Sequence, residues 1–294
     1  HDNAEDEPIL SMPGCNRLGP EGILREVGAS MEVGVHSFVL FPATSESVRT
    51  PMGEESYNPD GLVQVTLRAL KERWPEATLV TDVALDPYSS EGHDGIVAPD
   101  GTILNDETVE VLCKQALSQA EAGADIIAPS DMMDGRIGAI RSTLDTAGFR
   151  DVSLLSYTAK YASGFYGPFR DALDSAPKHG DKKTYQMDPA NAREALRELY
   201  LDEQEGADMV MVKPAGPYLD VISLLRDQTT LPLAAYQVSG EYAMLKAACQ
   251  NGWLEEVKVV PESLMAIRRA GADVILTYFA RQVATWIRQG VVQG

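Results

Sequence analysis

Two lysines stand where they could do carbonyl chemistry together. Lys160 closes the run Val152-Ser153-Leu154-Leu155-Ser156-Tyr157-Thr158-Ala159, and Lys213 closes Met209-Val210-Met211-Val212, with Pro214 stopping the ladder behind it. Both runs read as strands, consecutive in the chain, and neighbouring strands lie ~4.8 Å apart. Amines at matched heights on such strands converge over one pocket. Each then lowers the other's pKa by charge repulsion, and partial burial acts the same way. A lysine that is neutral at about pH 7 attacks ketones to form a Schiff base. The plainer alternative is that each ammonium snorkels to solvent from its strand end.

Other residues at the same rim suit a small polar substrate. Asp82-Val83-Ala84-Leu85-Asp86 alternates, so Asp82, Ala84 and Asp86 share one face. Ser130 and Asp131 end a third strand, Tyr236 and Ser239 a fourth, and Tyr278 the last. Hydroxyls there can hold a carboxylate, or serve ordinary strand-end hydrogen bonding. The connection 161–187 carries Arg170, Lys182, Lys183 and Gln186 among Tyr161, Phe165, Tyr166, Phe169 and Tyr185. Basic residues interleaved with aromatics on a long loop predict a lid over an anionic ligand, or else a solvated basic patch.

The elements that must position these residues repeat one grammar. Gly123-Ala124-Asp125, Gly206-Ala207-Asp208 and Gly271-Ala272-Asp273 each follow a helix-like stretch and precede an apolar run. Glycine supplies a left-handed helix cap, and the apolar run reads as a buried parallel strand. Strands are predicted near 35–42, 78–85, 124–130, 152–160, 207–213, 231–239 and 272–280. Thr108 to Ala122 and Asp188 to Glu205 have helical periodicity, and Pro189 and Pro261 are placed in first helical turns. Such alternation predicts an α/β fold, a single (β/α)₈ barrel domain spanning the chain, with one strand short of eight. The long connections 86–107 and 161–187 both follow strands, so both fall at the catalytic face.

Composition narrows the class. A formal net charge of -19 argues against nucleic acid and anionic membranes as partners. No apolar stretch approaches the ~20 residues that span a bilayer. Cys15, Cys113 and Cys249 have no paired spacing, which argues against a disulfide framework and a cysteine-rich zinc site.

Several stretches together resemble the porphobilinogen synthase (5-aminolevulinate dehydratase) family, over essentially the whole chain. They include Ser130-Asp131-Met132-Met133-Asp134-Gly135-Arg136, Ser156 to Ser163, Phe165-Tyr166-Gly167-Pro168-Phe169-Arg170, Val212-Lys213-Pro214 and Tyr236 to Glu241. The resemblance implies a lyase that condenses two molecules of 5-aminolevulinate to porphobilinogen. Lys213 would hold the first substrate as a Schiff base and Lys160 the second. Ser239 and Tyr278 would bind the first carboxylate, and Arg170, Lys182 and Gln186 the second. Asp82, Ser130, Tyr166, Phe169 and Tyr236 would line the first site.

Ala84, Asp86 and Asp94 stand where the zinc-using branch has cysteines, so no zinc site and no organic cofactor are expected. The pattern is similar to the magnesium-using, plastid branch. It implies allosteric magnesium at Glu198, with Asp86 and Asp94 as further candidate ligands, a homo-octamer, and a plastid or a bacterial cytoplasm. The resemblance also places a first strand and an arm ahead of His1, at least ~20 residues. Without them, the piece is expected to be poorly soluble and not octameric. A single-lysine Schiff-base aldolase or a catalytically idle barrel are the competing readings, and neither accounts for both lysines.

Overall fold

The computed structural model describes residues 1–173 and 178–292. Its framework is a seven-stranded sheet in chain order: β1 (Ser37–Leu40), β2 (Thr78–Val83), β3 (Ile126–Pro129), β4 (Ser153–Lys160), β5 (Met209–Lys213), β6 (Leu233–Gln237) and β7 (Val274–Thr277). Every neighbouring pair is parallel. The sheet is curled, the arc of the expected barrel, with β1 and β7 as its edges. Helices α1 (Pro20–Glu32), α2 (Leu62–Arg73), α3 (Asn105–Glu121), α4 (Arg136–Thr146), α5 (Gly167–Leu173), α6 (Arg193–Glu205), α7 (Leu219–Arg226), α8 (Ser239–Gln250), α9 (Glu256–Ala270) and α10 (Ala280–Arg288) complete it.

The Gly-Ala-Asp grammar does more than end helices. The glycines do adopt positive φ, 108° at Gly123, 94° at Gly206 and 125° at Gly271. Each aspartate then clamps the preceding strand twice. Asp208 N donates to Leu154 O (3.0 Å), and Asp208 Oδ2 accepts from Leu154 N (2.8 Å). Asp125 makes the same pair with Leu79, and Asp273 with Leu233. The motif thus fixes register at the base of three strand pairs, β2–β3, β4–β5 and β6–β7.

Alternation above those clamps sorts the side chains. Val80, Ala128, Leu155, Tyr157, Met211, Ala234 and Tyr236 form an inner cluster. Leu79, Ile127, Leu154, Val210 and Ala235 pack outward with the helices. Strict alternation from Tyr157 would turn Lys160 outward, three residues on. The ladder avoids this with a bulge: Ser156 pairs with Val210, yet Ala159 pairs with Val212, so β4 spends one more residue than β5. Tyr157 and Thr158 together stand against Met211, and with Tyr157 inward it is Thr158 that shifts the alternation. Beyond it, Ala159 packs with the outer core, and Lys160 turns inward directly opposite Lys213.

The strand predictions hold, with ends trimmed by one to three residues. Two helix readings need correction. Helix α6 begins at Arg193, not near Asp188, because Asn191 Oδ1 accepts from the N–H of Arg193 and Glu194; Pro189 therefore precedes it. Pro261 lies inside α9, not in its first turn, and deprives the helix of one backbone hydrogen bond. The loop 86–107 contains a short hairpin pairing Ile96–Val97 with Ile103–Leu104. Among the described residues no helix is long and apolar enough to cross a membrane.

If the clamp sets register, Asp208→Ala should cost about 1–2 kcal/mol of stability, the worth of a charge-assisted hydrogen bond discounted for partial exposure. Asp208→Asn, which keeps an acceptor, should recover most of it. Urea unfolding of the two variants measures the difference.

Candidate active site

Inward residues from five strand ends and two loops meet above the inner cluster. Asp82 follows Val80 by two on β2, and Ser130 follows Ala128 by two beyond β3. With Lys160 and Lys213 they line a cavity of about 40 Å³, joined by Phe41, Asp86, Asp94, Tyr166, Phe169, Arg170, Lys182 and Gln186. Nine residues expected at the substrate site, and the two candidate aspartate ligands, therefore come together.

The lysines have unlike surroundings. Lys213 Nζ is ringed by aromatic faces, 4.7 Å from the Tyr236 centroid, 5.2 Å from Tyr157 and Tyr166, and 5.3 Å from Phe169. Among the described residues nothing accepts a hydrogen bond from it. Ring faces favour an ammonium modestly, but loss of water costs more. Burial first, and then the charge of Lys160, lower the Lys213 amine to about 7. Lys160 Nζ instead donates to the Ser130 carbonyl and lies 3.8 Å from Asp94 Oδ2.

Three carboxylates balance the cations. Burial, followed by the charge of Asp86, raises Asp82 to about 7, and one of its oxygens has no hydrogen-bond partner among the described residues. Burial pushes Asp94 upward as well, but Lys160 and Lys182 outweigh it and hold Asp94 at about 2. Lys182 Nζ bonds Asp94 Oδ1 at 2.9 Å and Asp86 Oδ2 at 3.2 Å. That ammonium occupies the ground between the two aspartates, so they do not fit a metal here. Burial keeps the hydroxyls of Tyr157, Tyr166 and Tyr236 protonated, with pKa values well above the usual phenol value.

Ser239 and Tyr278 sit one layer further out. Tyr278 Oη is 3.0 Å from Tyr236 Oη. Ser239 Oγ accepts from Phe169 N (3.0 Å) and donates to Phe165 O (3.3 Å), so in this state it holds the segment that covers the site. That cover is a single turn at Gly164–Tyr166 and α5; of the expected lid 161–187, residues 174–177 lie outside the described residues. Its far side is tied to the 86–107 loop through His93, whose ring contacts Tyr185 Oη (3.1 Å) and the His179 carbonyl (2.9 Å).

Glu198 is elsewhere. It lines a separate cavity of about 640 Å³ with Asp134, Arg136 and Glu194, which holds neither lysine. Burial and then Asp202 raise its carboxyl. Among the described residues no three His, Cys, Asp or Glu side chains gather as a metal site. The lining carries the carboxyls of Asp100, Asp134, Glu194 and Glu198 against the guanidinium of Arg136.

Sequence reasoning missed three residues. Phe41 packs edge-on to Phe169 (5.1 Å) and stacks with Tyr236 (6.3 Å); its place two beyond the inward Val39 was the available signal. Tyr157 was the second, inward by the same alternation. His93, the third, carries no spacing signal.

The Lys213 shift has a consequence for stability. Between about pH 7 and its ordinary 10.5 the unfolded chain binds the extra proton, so this group makes stability rise with pH there and costs most below pH 7. Lys213→Met should therefore raise the thermal midpoint, and by more at pH 6 than at pH 9. At ~1.4 kcal/mol per unit the full effect is a few kcal/mol. Equal gains at both pH values would contradict the burial account.

Comparisons with known proteins agree with this geometry. The family described as Delta-aminolevulinic acid dehydratase matches residues 1–286. The chloroplastic Delta-aminolevulinic acid dehydratase of Physcomitrium patens is 63% identical over 288 residues, 98% of this chain and 67% of that one. The chloroplastic enzyme of Oryza sativa subsp. japonica is 64% identical over 285 residues, 97% of this chain and 67% of that one. The chain thus spans about two thirds of these relatives' length. The crystal structure of the Toxoplasma gondii ME49 enzyme, in complex with the reaction product porphobilinogen, superimposes with a TM-score of 0.98 at 56% identity. It covers 98% of this chain and 83% of that one. With two inward lysines, their register and the match along nearly its whole length, the chain belongs to the delta-aminolevulinic acid dehydratase family.

Proposed function

We propose that Lys213 and Lys160 are the two Schiff-base lysines of this chain's reaction. The reaction is the condensation of two molecules of 5-aminolevulinate to porphobilinogen with loss of two waters, an early step of tetrapyrrole biosynthesis. The observation that carries the assignment is the pairing of Lys160 with Lys213 in adjacent strands, both side chains buried at one cavity.

Lys213 takes the first substrate, because its amine is lowered to about 7 and meets no acceptor among the described residues. Attack on the keto carbon gives a carbinolamine, and loss of water gives the Schiff base. Asp82, itself at about 7, is matched to move protons between the intermediates at this pH. Lys160 holds the second substrate in the same way. Arg170, Lys182 and Gln186 bind that substrate's carboxylate, which competes with Asp94 for the Lys182 ammonium. Ser239 and Tyr278 receive the first carboxylate when the serine hydroxyl turns from the Phe165 carbonyl while still accepting from Phe169 N. Ser130, Tyr166, Phe169 and Tyr236 shape the first site.

A cavity of about 40 Å³ holds no more than a water or two, so two five-carbon acids enter when α5 opens, and α5 settles back over the widened site once they are bound. An aldolase uses one lysine and leaves the pairing unexplained. As part of the same proposal, magnesium at Glu198 acts on assembly and not on the chemistry, the assembly is a homo-octamer, and the compartment is the plastid, as the relatives' names support.

Borohydride added with 5-aminolevulinate should reduce a covalent adduct onto Lys213, read by peptide mass spectrometry. Lys160→Ala should keep that adduct and lose turnover, and Lys213→Ala should lose both. Full trapping in Lys213→Ala would overturn the order of the lysines.

A further inference from the structure

Among the described residues helix α5 spans Gly167–Leu173 and carries two residues of the site, Phe169 and Arg170. A stretch of seven described residues gains most of its hold from tertiary contacts, and the carbonyls of Ala172 and Leu173 make two of them. Two guanidinium groups from distant segments meet them. Arg17, in the short strand Asn16–Arg17 near the N-terminus, donates from Nε to Ala172 O at 2.5 Å. Arg49, after the single turn Glu46–Val48, donates from Nη2 to Leu173 O at 3.3 Å. The sequence separations are 155 and 124 residues, so neither contact follows from local structure.

Both arginines are themselves anchored. Arg17 belongs to a hairpin in which Glu7 pairs with Arg17, and its carbonyl contacts the His1 ring at 2.9 Å. Arg49 is braced by Thr44, through Nε to Oγ1 at 3.2 Å and Nη2 to the carbonyl at 2.9 Å. Thr44 Oγ1 in turn donates to the Pro87 carbonyl, in the loop that carries Asp86. At the other end of the cover, Ser239 holds the backbone of Phe165 and Phe169. The described helix is therefore held both at Phe169 and at Ala172 and Leu173.

From this we infer that Arg17 and Arg49 form a latch that holds α5 over the cavity, and so are positioning residues for Phe169 and Arg170. Neither touches the cavity, so neither is a catalytic residue. The latch closes on carbonyl oxygens and leaves no mark on the identity of the residues it grips. The inference rests on the reading above that Arg170 receives the second substrate's carboxylate, and the experiment separates the two.

Arg17→Met and Arg49→Met, each made singly in the full-length enzyme, keep the bulk of the side chain and remove the donors. Each should raise KM for 5-aminolevulinate about tenfold while kcat at saturating substrate stays within about twofold, since substrate binding re-forms the closed state. Chymotrypsin should cut faster at Phe165 to Phe169 in both variants, and Arg17→Lys should recover part of the KM. Arg170→Met should raise KM without faster cutting; if it leaves KM unchanged, the carboxylate reading fails while the cutting rates still decide the latch. Unchanged KM and cutting in variants with normal thermal midpoints would overturn the latch, as would a fall in kcat at unchanged KM. Arg49→Met grips a different carbonyl from a different segment, so the test stands if Arg17→Met fails to fold.

Discussion

Asp208 bonds both backbone groups of Leu154 at the base of the β4–β5 pair, and the height of everything above is counted from that clamp. From Leu154 to Lys160 is six steps, and from Asp208 to Lys213 is five. The bulge at Thr158 absorbs the odd step. Without it, Lys160 would lie outward among the residues that face the helices, where Ser156 already bonds Asp202 of α6. Two amines share one site because a register clamp and a one-residue bulge cancel. The remaining strands need no such correction: Asp82, Ser130, Tyr236 and Tyr278 all follow their inward neighbours by two.

Bringing the amines together sets the electrostatics. Burying two lysines and a third in Lys182 would be prohibitive alone, and three buried carboxylates offset most of that charge. They do so unevenly. Asp94 serves Lys160 and Lys182, and stays ionised. Asp82 shares the cavity with the lysines, one of its oxygens unpartnered among the described residues, and Lys213 is given rings in place of acceptors. The asymmetry leaves one amine and one carboxyl poised near neutral pH side by side. That is the combination Schiff-base chemistry uses, a nucleophile and a group to move its protons. Over this pair lies helix α5, held from outside the site, so that access and chemistry are governed by different residues.

Much of this could be read from the residues in order. Apolar runs marked all seven strands, three of them behind Gly-Ala-Asp, because glycine caps and buried parallel strands leave strong local marks. The convergence of Lys160 and Lys213 was also readable, since both end strands adjacent in the chain. The bulge was not: Thr158 looks like any strand residue, and its effect appears only against β5. The clamp role of Asp125, Asp208 and Asp273 was hidden for the same reason, as the motif was visible but its partner lies on another strand. Pro261 was misplaced because a proline within a helix and one at its start differ only by where the preceding loop ends. Lys182 between Asp86 and Asp94 joins residues about ninety apart, a distance at which spacing carries no information.

The central claim is that burial and a neighbouring lysine leave the Lys213 amine largely neutral at physiological pH. Its titration can be followed directly by NMR of ¹⁵N-lysine-labelled enzyme, with Lys213→Met giving the assignment. An apparent pKa of about 7, rising when Lys160 is replaced by methionine, is the result expected from the surroundings described. A value near 10 that does not respond to loss of Lys160 would show that the two amines neither share a dry site nor feel one another, and would contradict the account.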